Sequence, residues 1–448
     1  MRRPPRIFIG FEEVAGYCAG LKKGFDENGV ASVCFLIRDH RFQYADPENL
    51  PLLTLIRSVL QMREACKARA KNTPNPLAKV LFMAARLGLA LAQNVVWLAV
   101  FFCALAKFDV FIFQGRASFS HLFRFPVRPG FLDLAILKLL RKKVIYVFHG
   151  TDTRPAYVNG SAGIRRLSTR EMLRYVKKQA RDLKAIEKYA DFIVHYPLNT
   201  QLHKRRIVSH DCLGRPVTGS AASDETRPRL EEGAVRIVHA PSDPVGKGSA
   251  KIKQSIQNLI QKGHRIEYVE LADKSNREVK GILAGCDFVV DQLYYDVSIS
   301  ILGTEAAFLG KAVLFGSYAK EEFKKVIPPA FLPPTVICLP EEMEEAIERL
   351  ISDKESRASL GAKSRAFVEQ FYGPKKVAGN FLRLINGNVP EEWLFDPNSL
   401  EYCHGYGFSR TEVKGRIREL IQQGGEASLC LDDKPMLKER FIKFAAGA

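Results

Sequence analysis

The chain has 448 residues, enough for two or three domains rather than one small core. Its 46% hydrophobic and 26% charged composition excludes a disordered or fibrous chain. The formal charge of +18 is uneven: residues 1–216 carry 36 Lys and Arg against 16 Asp and Glu, and the rest carries 31 against 33. The N-terminal half is therefore expected to meet an anionic partner (nucleic acid, a phospholipid surface or a diphosphate-bearing molecule), unless the charge is only a solvated basic face.

Met1-Arg2-Arg3-Pro4-Pro5 leads directly into a strand-like run, so no secretory leader is expected. Nine scattered cysteines without a Cys-x-x-Cys pair predict a reducing cytoplasm, with neither a disulfide framework nor a zinc site. Strands are predicted over 6–11, 31–37, 108–113, 143–148 and 192–195, alternating with helices over 16–28, 52–70, 77–106, 132–140 and 169–189. This alternation predicts βαβ units and a doubly wound parallel sheet in an N-terminal domain, residues 1–212.

The segment 52–106 is an apolar helical insertion in that pattern. Its first helix mixes apolar residues with Arg57, Arg63, Lys67 and Arg69. From Leu87 to Ala106 only Gln93 and Asn94 are strongly polar, which is near the length of a membrane span. A true span would put strands 6–11 and 108–113 on opposite sides of a bilayer, although both belong in one sheet. Two readings stay open, docking on an anionic membrane surface and an ordinary buried helix.

The periodicity breaks near Leu213-Gly214-Arg215-Pro216, and 213–233 reads as an interdomain linker. It restarts with strands over 236–240, 265–271, 288–291, 312–315 and 335–338, then helices over 341–351, 360–371 and 375–385. A second doubly wound domain is expected over 234–388, with its ligand at the carboxyl ends of its strands. Its first strand opens into Pro241-Ser242-Asp243-Pro244-Val245-Gly246-Lys247-Gly248. A glycine-rich turn before a helix N-terminus is an anion site, and Lys247 adds a full positive charge; the same letters also describe a plain surface turn. Beyond 389 only an amphipathic helix over 409–425 is legible, in a tail expected to pack on the N-terminal domain.

The stretch "CDFVVDQLYYDVSISILGTEAAFLGKAVLF" (286–315) resembles the GT-B glycosyltransferases, specifically the large retaining group that uses nucleotide-diphosphate sugars. The similarity rests on Glu305 opening a helix of small residues, then Gly310-Lys311-Ala312-Val313, and on the Lys247-Gly248 pair. "VIYVFHGTDTRP" (144–155) resembles the corresponding loop of bacterial surface-polysaccharide transferases. The resemblance covers about 6–388 and implies two Rossmann-like domains facing across a cleft, with a C-terminal helical tail.

By that resemblance Lys247 stabilises the leaving diphosphate and Glu305 binds the ribose hydroxyls, with Gly248, Ser298, Ser300, Gly303 and Thr304 completing the donor side. His149 faces the donor sugar, unless it is a histidine satisfied within its loop. Gly150, Asp152, Arg154 and Arg116 fall on the acceptor side. The family pattern has a second glutamate eight residues before the first, followed by Gly-x-Gly. Here Val297, Ser298 and Ser300 occupy those places, and Asp296 is the candidate for a displaced catalytic carboxylate.

The function expected is retaining hexosyl transfer from a nucleotide sugar to a glycan or lipid-linked acceptor in surface polysaccharide synthesis. Neither cofactor nor metal is implied. An anionic membrane surface is an expected partner and the cytoplasmic face of the cell membrane an expected location. The rivals are a non-catalytic nucleotide-binding scaffold of the same fold and a GT-B-fold sugar-nucleotide epimerase. No aromatic-plus-basic repeat or zinc pattern supports nucleic-acid binding.

Overall fold

A computed structural model describes residues 3–38, 42, 50–123, 130–218 and 233–447. Of the expected linker, 219–232 lies outside the described residues. The chain divides into two compact units, residues 1–147 with 185–193 and residues 148–184 with 194–448.

The first unit holds β1 (Ile7–Phe11), β2 (Ser32–Leu36), β3 (Val110–Gln114), β4 (Lys143–Val147) and the start of β5 (Phe192–His195), in the order β2-β1-β3-β4-β5. The pairings of β1 with β2 and β3, and of β3 with β4, are parallel, with Ile7 beside both Ser32 and Val110. β1 is buried at every position, as a parallel strand covered on both faces must be. Aromatic side chains fill this core: Phe11 meets Phe119 at 4.8 Å and Trp97 at 5.7 Å between ring centroids.

Trp97 comes from the second arm of a helical hairpin, Pro51–Asn72 and Pro76–Lys107. Both arms begin with proline at the first helical position, where its missing N–H costs nothing. Asn75 caps the second arm by accepting from the Leu77 and Ala78 amides at 2.9 and 3.3 Å. Buried Arg63 of the first arm donates to Gln93 of the second, and Gln93 donates to the Leu122 carbonyl at 2.9 Å.

In the second unit the end of β5 pairs with β6 (Ile207–Ser209), on which β12 (Leu394–Phe395) lies antiparallel. A separate sheet contains β7 (Val235–His239), β8 (Ile266–Glu270), β9 (Phe288–Val290), β10 (Ala312–Gly316) and β11 (Val336–Cys338), in the order β11-β10-β9-β7-β8. All its pairings are parallel. The expected pair of Rossmann-like parallel sheets is present, and each predicted strand falls within two residues of its place. β6 and β12 were not foreseen, since strands of three and two residues show no period.

The tail adds helices Arg410–Gly424 and Pro435–Ala446. It packs on 156–172: Tyr157 donates to the Leu429 carbonyl at 3.1 Å, and Arg165 pairs with Glu412 at 2.9 Å.

Candidate functional site

The order of the second sheet reverses between β7 and β9. Ligands of open α/β sheets bind outside the carboxyl ends of the strands at such a reversal. Two loops leave those ends, 240–248 after β7 and 291–300 after β9. In the first, Asp243 closes the turn: its carbonyl accepts from the Lys247 amide at 2.9 Å and its carboxylate from the Gly246 amide at 3.2 Å. Gly248 then takes φ +73°, and a Cβ there would sit 2.7 Å from the Leu293 side chain. Only glycine gives both the left-handed backbone and the close approach of the two loops. Their junction is a hydrogen bond from the Leu293 amide to the Lys247 carbonyl at 2.9 Å.

Lys247 is nearly buried, its Nζ 3.2 Å from Asp291 Oδ1, and Gln292 donates to the other Asp291 oxygen at 3.1 Å. Asp291 is the first residue after β9 and is fully buried. The lysine is thus held at the reversal point by a carboxylate. The strand behind it is braced by His239, whose Nδ1 donates to the Val290 carbonyl at 2.8 Å. Its Nε2 therefore accepts from the Ser249 hydroxyl at 2.7 Å. Burial, then the charge of Lys247, lowers the His239 imidazolium to about 4, so the ring is neutral near pH 7.

Glu305 stands on the helix Ile301–Phe308. Ser300 caps that helix by accepting from the Gly303 amide at 2.9 Å, and Thr304 donates back to the Ser300 carbonyl at 2.7 Å. A Cβ on Gly303 would come within 2.9 Å of Ile299 and 3.1 Å of Val313, so the glycine sets how closely the helix lies on β10. Asn276 donates to Glu305 Oε1 at 2.7 Å and Lys280 Nζ lies 3.4 Å from the same atom. Burial pushes the Glu305 carboxyl up, and Lys280 and Asn276 pull it back.

The third group follows β4. Asp152 accepts from the His149 amide at 2.8 Å, which folds Gly150–Thr153 into one helical turn. His149 is half-buried, and its loss of solvent, then the charge of Arg215, lowers its imidazolium to about 3. Arg154 turns away to Asp296: Nε donates to Oδ2 at 2.6 Å and a terminal nitrogen donates to Oδ1, both side chains being buried. Ser298 donates to buried Asp211 at 2.6 Å, and Val297 is itself buried.

Lys247, Gly248, Ser300, Gly303, Thr304 and Glu305 therefore belong to the loops and first helical turns around one sheet. His149, Gly150, Asp152, Arg154, Asp296 and Ser298 lie in the same compact unit. Arg116 follows β3 in the other unit, at that sheet's own reversal between β1 and β3. Among the described residues no group of three His, Cys, Asp or Glu side chains could hold a metal ion.

Several residues escaped the sequence reading. Asp291 had a faint signal, a charge ending the apolar run Phe288–Val290. Asn276 and Lys280 are four apart on one helix face, but only the fold aims that face at Glu305. Tyr406 lies between Gly405 and Gly407, both at positive φ, and its ring covers the Arg154 guanidinium at 5.1 Å. It bridges Asn159, and its carbonyl accepts from the Gly160 amide at 2.8 Å. An aromatic residue between two glycines was the readable sign of that close approach.

No family model and no curated protein sequence matches this chain. Several solved structures similar to it are glycosyltransferases. Anabaena Alr3699/HepE in complex with UDP-glucose has a TM-score of 0.46 at 12% identity, over 86% of this chain and 100% of that one. The catalytic domain of starch synthase IV from Arabidopsis thaliana, bound to ADP and acarbose, has a TM-score of 0.45 at 12% identity, over 86% and 99%. The glycosyltransferase SnogD from Streptomyces nogalater has a TM-score of 0.40 at 11% identity, over 85% and 99%.

Proposed function

We propose that this chain is a cytoplasmic GT-B glycosyltransferase. It moves a hexosyl group from a nucleotide-diphosphate donor to a glycan or lipid-linked acceptor in surface polysaccharide synthesis, with retention at the anomeric carbon. One observation carries the reading: Lys247, on the loop after β7, and Glu305, on the helix after β9, flank the reversal point of one parallel sheet, Lys247 held by buried Asp291 and Glu305 by half-buried Asn276 and Lys280.

In this reading the bond from the anomeric carbon to the phosphate oxygen breaks as the bond to the acceptor oxygen forms, and the acceptor proton passes to the departing phosphate. Negative charge grows on that phosphate, and Lys247 is the group that stabilises it; removing one such preorganised donor costs about 10²–10³ in turnover. Glu305 accepts from two ribose hydroxyls, with Lys280 and Asn276 opposing the rise that burial imposes on its carboxyl. Neutral His149 offers a hydrogen bond to the sugar rather than a charge. With both oxygens on Arg154, Asp296 enters as a positioning residue.

The second reading, a non-catalytic nucleotide-binding protein, is favoured by buried Val297 at the place of the family's sugar-binding carboxylate. A panel of nucleotide sugars separates the two. Thermal stabilisation together with release of free nucleotide supports the transferase. Stabilisation without turnover, with glycan and lipid-linked acceptors present, supports the binding protein.

A further inference from the structure

The Pro76–Lys107 helix is apolar on two opposite faces. One is used: Trp97, Val100, Phe101 and Ala104 are buried in the first unit, with Trp97 against Phe11 and Phe35. The other is not. Leu91, Val95, Leu98 and Phe102 follow one another at steps of four, three and four, and each is between 45% and 66% exposed. Leu77 and Leu81 extend the same stripe towards the hairpin turn, with Leu77 74% exposed. At a rise of 1.5 Å per residue the stripe runs about 38 Å. A helix on a protein surface turns polar groups outward. Leaving so many large apolar side chains in water is unfavourable, so a stripe of this length marks an interaction face.

Crossing a bilayer would not satisfy it. The helix is long and apolar enough to do so, but 39% of its most apolar stretch is buried in protein. Its C-terminal cap, Phe108, lies two residues before Val110 of β3, and Val110 pairs with Ile7 of β1. The helix is fixed lengthwise to the sheet, so only its outer side can meet another phase.

The charges of the same hairpin select that phase. Residues 51–107 contain eight Lys and Arg and a single carboxylate, Glu64. Lys67, Arg69, Lys71 and Lys79 crowd both sides of the turn, and all are exposed. A second copy of this chain would bring like charge against like. An anionic lipid surface accepts both features: acyl chains take the stripe, and the anionic headgroups attract the cations beside it.

We propose that the 51–107 hairpin docks the protein flat on an anionic phospholipid surface, with the outer stripe of Pro76–Lys107 inserted to the level of the upper acyl chains. This rests on the hairpin alone and survives if the sugar-transfer reading fails. The test is flotation of the full chain with vesicles of phosphatidylcholine, alone or mixed with phosphatidylglycerol. Binding to the mixed vesicles only, weakened by salt, is expected. Val95→Asp with Phe102→Asp should abolish it, and Lys67→Glu with Arg69→Glu and Lys71→Glu should weaken it at least tenfold. Both variants should keep the wild-type circular dichroism and melting temperature, because every altered side chain is exposed. Equal binding to both vesicle types would overturn the proposal. So would absence of vesicle binding together with a dimer mass that Val95→Asp/Phe102→Asp reduces to monomer.

Discussion

Arg154 and Asp296 lie 142 positions apart and form a bidentate ion pair from which water is excluded. It ties the turn after β4 to the loop after β9. Removing one partner of a buried pair leaves an uncompensated charge at a cost of about 3–5 kcal/mol, whereas replacing both with apolar groups is often nearly neutral. Asp296→Asn should therefore lower unfolding stability by about that amount, and Arg154→Met/Asp296→Leu should lose less than either single change. Denaturant unfolding of wild type, the single variants and the double variant measures it. If Asp296→Asn unfolds like wild type but turns over more slowly, the residue touches the sugar instead of holding the loop.

Lys247→Ala removes the charge proposed to meet the leaving phosphate. Turnover should drop about a hundredfold or more on any nucleotide sugar the wild type uses. Asp291→Asn keeps the lysine but removes its buried partner. That variant should bind nucleotide at least as tightly, since Lys247 no longer divides its charge between a carboxylate and the phosphate. Calorimetric Kd values for both variants decide the matter. Full activity in Lys247→Ala would remove the lysine from the mechanism.

Lys280 acts on Glu305 rather than on any ligand. Burial raises the Glu305 carboxyl and Lys280 is the largest influence opposing it, so Lys280→Met should raise it further. A nucleotide that needs the ionised carboxylate should then bind the variant weakly at pH 5.5 and regain much of its affinity at pH 8. Wild type should change less over the same range. Parallel pH curves for the two proteins would show that Glu305 does not hold the nucleotide in its ionised form.

Strands of the two sheets could be read from the sequence because both faces are covered, so runs such as Ile7–Phe11 and Ala312–Gly316 are apolar at consecutive positions. Lys247 was singled out for a different reason, the glycines on both sides of it in a turn before a helix, and Glu305 by the resemblance of its helix of small residues to that of GT-B glycosyltransferases. Their partners were not. Asn276 and Lys280 are assigned by packing between distant segments, with nothing local to distinguish them from solvated side chains, and Asp291 shows only as a charge after an apolar run. The Pro76–Lys107 helix shows the same limit. Its composition is equally apolar on the face against Phe11 and on the face towards solvent, and only the burial pattern separates the two.

Five histidines, four of them buried and His149 half-buried, make a prediction about acid. His149, His239 and His404 are lowered from 6.5 to about 3, 4 and 3, and His195 and His210 also lie well below 6.5, burial being the largest cause in each. The unfolded chain therefore takes up protons near 6.5 that the folded chain refuses until lower pH. Stability rises with pH wherever the unfolded state binds more protons, so this contribution is complete above about pH 6.5 and is lost as pH falls towards 4. Glu13, Glu305 and Asp211 have raised carboxyls and work in the opposite sense, through ionisation that begins above the unfolded values of 4.5, 4.5 and 3.8. The five histidines outnumber these three carboxyls and should set the sign between pH 6.5 and 5. The denaturation midpoint should hold from pH 8 to 7 and fall steadily from 6.5 to 5. His239→Gln should flatten part of that fall, because an amide at this site can neither gain a proton nor repel Lys247. A midpoint unchanged between pH 7.5 and 5 in wild type would show that these rings do not stay neutral in the folded protein.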